Sequence, residues 1–230
     1  SSEMYVGLQT SADTVFLFKD WSITGGTANV YSKELEETIQ LESDILKPVV
    51  RSGDIGKFYA LPEAQVLFPY EVEKNNARLY SEDEFKAFFP LAWEYLLRNR
   101  DILEDRERGS FEDEEWYRFG RTQNLGLWEQ PKLMVPYMVT DLACFFDSSD
   151  KYYFVNVTTG GYGITSNGEF GDLPYLCGLL NSHVEDFYLK HISTNFRGGY
   201  FAANKQYIEK LPIPNSTKKQ RDTIARISNY

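Results

Sequence analysis

Between Lys132 and Val157 the chain carries three short β-prone runs in close succession: Leu133-Met134-Val135-Pro136-Tyr137-Met138, Leu142 to Phe146, and Tyr152 to Val157. A Ser-Ser-Asp turn separates the last two. Connections this short leave no room for the crossover that parallel neighbours need, so the runs predict antiparallel strands. Helical signals stand on either side. Ser81-Glu82-Asp83-Glu84 is a capping-box start to a helix entering at Phe85, and a second helix is predicted after Pro90, through Trp93 and Leu96 to about Leu103. Thr14 to Lys19 is a further β-prone run, and Val66-Leu67-Phe68-Pro69-Tyr70 reads as a strand ending at a proline. Glu34 to Leu46 has the acid-flanked apolar spacing of a helix or helical turn stopped at Pro48. The expected class is α+β, an antiparallel or mixed sheet with packed helices.

The chain has 230 residues, of which 42% are hydrophobic and 16% aromatic, enough to bury a real core. No apolar run approaches the roughly 20 residues that cross a bilayer, and the first residues lack a signal-peptide pattern. A soluble, cytoplasmic protein with no membrane partner is expected. Cys144 and Cys177 sit in apolar surroundings, which suits buried thiols better than a disulfide or a metal site. No repeat or low-complexity tract is present.

The last third is the most informative. Leu176, Leu179, Leu180, Val184, Phe187 and Tyr188 recur at three- and four-residue steps, which predicts one buried helical stripe, with a helix from His183 to about Ile192. Phe196-Arg197-Gly198-Gly199-Tyr200-Phe201 then places an arginine beside two glycines, as in a loop that approaches another molecule, or as in a plain surface turn. Leu211-Pro212-Ile213-Pro214 forces an extended exit. One domain is predicted over 1–214, and 215–230 reads as the start of a C-terminal helix, cut short.

Taken in order, Leu179-Leu180-Asn181-Ser182, the helix, the Arg-Gly-Gly loop and Leu-Pro-Ile-Pro resemble the close of the C-terminal specificity domain, or target recognition domain, of TaqI-type adenine-N6 DNA methyltransferases, including fused type II restriction-modification enzymes. Earlier blocks extend the resemblance. They are Gly7-Leu8-Gln9-Thr10-Ser11-Ala12-Asp13, with Ser11 where that family usually has glycine; Leu46-Lys47-Pro48 through Arg51-Ser52-Gly53-Asp54-Ile55; and Leu67-Phe68-Pro69-Tyr70. Tyr95-Leu96 through Leu103 and Arg106, Trp116-Tyr117 with Arg121, and Pro131-Lys132-Leu133 continue it. The resemblance implies a target-recognition fold, double-stranded DNA and an upstream methyltransferase domain as partners, and catalysis outside this fragment.

The residues themselves agree on that last point. Neither a glycine-rich S-adenosylmethionine loop nor an Asn/Asp-Pro-Pro-Tyr/Phe segment occurs, so no cofactor and no catalytic residue is expected here, and S-adenosylmethionine belongs to the parent enzyme. Gly160-Gly161-Tyr162-Gly163 lacks the context of a phosphate loop and reads as a turn. His183 and His191 have no ligand partners at metal spacing, and Glu112 to Glu115 read as a solvated acidic loop.

A net charge of −10 opposes DNA binding unless charge is segregated. Acid is concentrated in Glu34 to Asp44, Glu82 to Glu84 and Asp101 to Glu115, and base with aromatics in Trp116 to Arg121, Lys190 to Arg197, Lys205 to Lys210 and Lys218 to Arg226. Arg118, Arg121, Gln123 and Asn124 are candidate base readers, since arginine pairs with guanine and amides with adenine in the major groove. Lys132, Arg197 and Lys205 suit phosphate or guanine, and Thr158, Thr159 and Tyr162 suit backbone contacts. Arg118, Arg121, Lys132 and Arg197 are expected in one positive cleft facing away from the acids. Two other readings stand beside this one: the recognition domain of a multisubunit restriction specificity subunit, and an acidic protein-interaction module or DNA mimic.

Overall fold

The computed structural model describes residues 2–149, 151–166 and 173–228. Where the sequence predicts one domain over 1–214, its contacts divide into two compact units. The first takes the described residues of Ser1–Gly7, Val50–Pro62 and Leu127–Tyr230; the second is Leu8–Val49 with Glu63–Gly126. The path crosses between them more than once, which no local pattern reveals.

The first unit is built on an antiparallel sheet ordered Ser2–Val6, Gly161–Ser166, Lys132–Pro136, Phe145–Asp147. Gly161-Tyr162-Gly163 therefore lies in a central strand and is not a turn. Close approach explains the glycines. A Cβ on Gly161 would lie 2.1 Å from the Val135 carbonyl oxygen, and one on Gly163 would lie 2.4 Å from the Tyr5 ring.

Leu133, Val135, Leu142 and Ile164 pack under Leu173, Cys177, Leu180 and Leu189 from the helices Leu173–Leu180 and His183–Ile192. The predicted stripe is interrupted between those helices. Asn181 is buried and clasps Cys144, its Oδ1 accepting from the Cys144 N–H at 2.9 Å and its Nδ2 donating to the Cys144 carbonyl at 2.8 Å. Ser182 then caps the second helix by accepting from Glu185 N–H. This break resets the helical phase. Asp186 turns inward to accept from Leu142 N–H at 2.7 Å, Glu185 and Leu189 are buried beside it, and Val184, Phe187 and Tyr188 are left 70%, 65% and 40% exposed. The expectation that these three are core is overturned.

In the second unit, Trp21–Thr24, Thr27–Ser32 and Glu37–Glu42 form an antiparallel meander, so the predicted helix over 34–46 is a strand followed by the single turn Ser43–Ile45. Ile39 and Leu41 alternate with polar neighbours, and Val30 and Ala28 supply their cross-strand partners. Pro48 lies within the strand Leu46–Val50, and Asp13–Phe16 is one helical turn before the short strand Leu17–Phe18. The predicted helices form as Glu82–Phe88, with its capping box between Ser81 and Glu84, and as Pro90–Arg98 followed by Arg100–Glu104. They pack through an aromatic cluster in which Trp93 meets Phe85, Trp116 and Tyr117 at ring separations of 5.7, 5.6 and 5.3 Å.

Candidate nucleic-acid interface

Arg106 organises the second unit's candidate loops. Its guanidinium is buried against Phe111, 4.0 Å from the ring centre, is bonded to no carboxylate among the described residues, and donates to the backbone carbonyls of Leu103, Thr10, Arg118 and Trp116. Burial, with Arg118 nearby, lowers its pKa to about 10, so it stays charged at neutral pH. One side chain thus ties the 9–13 loop to the 116–121 loop. Gly120 and Arg121 N–H groups donate to the Thr10 and Gln9 carbonyls, and a Cβ on Gly120 would overlap the Ser11 hydroxyl. Ser11 itself has φ 56, the left-handed conformation that glycine favours.

The candidates on this frame separate. The Arg118 guanidinium sits over Phe111, 4.5 Å from the ring centre, is ion-paired to Asp113 at 2.6 Å, and holds that carboxyl below its usual pKa. It braces the loop. Trp116 and Tyr117 are buried. Arg121 is half exposed and bonded to Glu107 at 2.9 Å. Both arginines therefore pair with acids of the 101–115 run and do not face away from them. Gln123 and Asn124 are exposed, Asn124 in the left-handed region with φ 62.

Beside them stands a feature the sequence reading passed over. The hairpin Tyr70–Glu73 and Asn76–Leu79 turns through Lys74 and Asn75, both at positive φ, and residues 73–76 are all exposed. Its signal was available: two asparagines between alternating strand residues mark a tight hairpin.

In the first unit, Lys132 is a correction. Its side chain is fully buried, bonded at 2.7 Å to Asp147, its cross-strand partner, and at 2.7 Å to the Trp128 carbonyl, so its ammonium cannot reach DNA. Tyr162 is likewise buried, its ring against Tyr137 and its hydroxyl accepting from the Lys205 backbone. It supports Lys205, whose exposed ammonium lies 3.6 Å from Glu209. Thr158 and Thr159 are exposed on a turn held by Ser52, whose N–H donates to the Thr159 carbonyl at 2.8 Å.

Arg197 sits at the tip of a hairpin between Asn195–Phe196 and Tyr200–Ala202, exposed and, among the described residues, without an ion-pair partner. Gly198 and Gly199 make the turn at φ 88 and 79. Ser193 Oγ donates to the Ala202 carbonyl at 2.8 Å and anchors the hairpin to the preceding helix. Of the four residues expected in one positive cleft, Arg118 and Arg121 belong to one unit and Lys132 and Arg197 to the other, and Lys132 is buried and therefore lines no cleft.

Residues 90–213, more than half of the chain, match the TaqI-like C-terminal specificity domain. The chain belongs to that family. The specificity-domain reading made from motif order is borne out. The chain is similar to the type II restriction enzyme and methyltransferase RM.Eco57I of Escherichia coli, 24% identical over 97% of this chain and 24% of that protein. It is also similar to the type II methyltransferases M.BstVI of Geobacillus stearothermophilus, 21% identical over 99% of this chain and 36% of that one, and M.XhoI of Xanthomonas vasicola, 26% identical over 84% and 33%. The chain thus spans about a quarter to a third of these relatives. Its fold is shared with the type IIL restriction-modification enzyme MmeI, solved in complex with DNA. The TM-score is 0.60 at 13% identity, covering all of this chain and 27% of that one. The α+β class agrees with this likeness. Among the described residues, no helix is long and apolar enough to cross a membrane.

Proposed function

We propose that this chain reads the DNA sequence on which a restriction-modification adenine-N6 methyltransferase acts, with methyl transfer carried out by a part of the protein outside these 230 residues. The match of residues 90–213 to a specificity domain carries the reading. S-adenosylmethionine would be held by that other part. The glycine cluster Gly160 to Gly163 lies against the Val135 carbonyl and the Tyr5 ring in a central strand, so the group does not fit there.

On this reading Arg121, Gln123 and Asn124 face base edges, and Arg197, Lys205, Thr158 and Thr159 hold the backbone. Arg118, Lys132 and Tyr162 are supports. Arg121 exchanges Glu107 for DNA at small cost, because an exposed ion pair contributes only about 0–1 kcal/mol. The acidic surface leaves nonspecific attraction to the rest of the protein and to a few well-placed cations. Selection of bound duplexes from a randomised pool, followed by sequencing, tests the proposal. Enrichment of one short motif is the expected result. Recovery of unenriched pool, with the protein folded, overturns it.

A further inference from the structure

The exposed tip of the hairpin Tyr70–Leu79 has more side-chain chemistry than a turn needs. Two-residue turns with positive φ at both central positions favour Asn-Gly or Gly-Gly, yet the first position here is Lys74, at φ 48. A lysine in that region is strained where glycine would not be. The hairpin is also held in place. A Cβ on Gly126 would lie 2.1 Å from the Asn75 carbonyl oxygen and 2.9 Å from the Asn76 nitrogen, so the tip rests directly on the backbone that follows Asn124. At the other end Arg78 bridges Glu71 and Glu84 at 2.6 Å each, fastening the strands to the capped start of the helix Glu82–Phe88.

Two exposed loops far apart in sequence are thereby brought side by side. One presents Lys74, Asn75 and Asn76; the other presents Arg121, Gln123 and Asn124. Asn75 and Asn124 both sit at positive φ. Four carboxamides and two cations on two exposed loops that meet at Gly126 have the chemistry of a major-groove reader. A carboxamide donates to adenine N7 and accepts from its N6 amino group with one planar fork, which water-facing turn residues have no need to do in a cluster.

We propose that the hairpin tip is a second base-reading element, in which Asn75 and Asn76 join Gln123 and Asn124 in recognising adenine-bearing base pairs, and Lys74 holds the adjoining phosphate. This rests on the DNA-reading function proposed above. The mechanism requires only hydrogen-bond exchange, and the close seat on Gly126 keeps the two loops in fixed register against the duplex.

The experiment uses the motif selected from the randomised pool. Asn75→Gly retains the turn and removes one amide; Asn76→Ala and Gln123→Ala remove others. Discrimination at one or two neighbouring positions of the motif should fall roughly tenfold for at least one hairpin variant, with the remaining positions unchanged. Replacing adenine there by 7-deazaadenine, which keeps Watson–Crick pairing and lacks N7, should weaken the unsubstituted protein and leave that variant indifferent. Gly126→Ala, which removes no amide and displaces the tip, should alter the same positions. Thermal melts confirm that each variant is folded. If the unsubstituted protein selects a motif and every folded hairpin variant keeps it in full, the hairpin does not read bases and the DNA-reading function survives. If no motif is selected, that function itself fails first.

Discussion

Ser11 has a φ of 56, the left-handed region that glycine enters without strain. The backbone there must turn left-handed so that Gly120 can pack against it, and the Ser11 hydroxyl recovers part of the strain by donating to Glu107 at 3.3 Å. Ser11→Gly relieves about 1 kcal/mol of strain and loses a similar amount to unfolded-state entropy, so its stability should stay near that of the parent. Ser11→Val, β-branched at the same φ, should lower it by about 1–2 kcal/mol or more; urea melts compare the two. Lys132 teaches a related lesson. Its pair with Asp147 is fully desolvated, and Asp147 also accepts from Ser149 and Tyr152 N–H groups. Lys132→Met strands a buried carboxylate and should cost about 3–5 kcal/mol. Adding Asp147→Leu should recover only part of this, because two backbone donors then lose their acceptor, and a double-mutant cycle measures the remainder.

At the scale of the element, the helix His183–Ile192 inverts the usual arrangement. Acidic residues face in and aromatic ones face out, because Asp186 serves the Leu142 N–H and Asn181 fixes where the helix starts. Phe187→Ser should change stability by no more than about 0.5 kcal/mol, whereas Leu189→Ala, fully buried, should cost about 2–4 kcal/mol by chemical denaturation. Burial also raises the Glu185 carboxyl above its ordinary range, and one of its oxygens is buried without a partner among the described residues. The folded state then holds its proton to higher pH than the unfolded state, so stability declines as pH rises through that window. Glu185→Gln should therefore raise Tm near pH 7, with the advantage fading as pH falls below the ordinary glutamate range. A pH series of thermal melts reads the difference directly.

For the whole molecule, basic residues that look equivalent in sequence divide by what surrounds them. Arg118 is spent on Asp113 and Phe111, whereas Arg197 is presented on a glycine turn. Arg197→Ala should weaken binding to all duplexes about equally and reduce the slope of log affinity against log salt by about one. Arg118→Ala should instead lower Tm, with the base preference kept in any molecules that remain folded. Salt titrations of duplex binding, paired with melts, separate these outcomes.

The class of the fold, the capping box at Ser81, the helix after Pro90 and the family were all legible in the chain, because each is written in neighbouring residues: short periods, cap chemistry, proline, and the order of motifs. Tertiary structure alone decided the rest. Glu37–Glu42 became a strand because Thr27–Ser32 lies beside it, and Gly161 and Gly163 entered a central strand because Val135 and Tyr5 crowd them. Lys132 went inside because Asp147 faces it across the sheet, and Phe187 went outside because a clasp at Cys144 set the helix phase. Burial and charge pairing depend on partners distant in sequence, and a local pattern holds no information about which partner arrives.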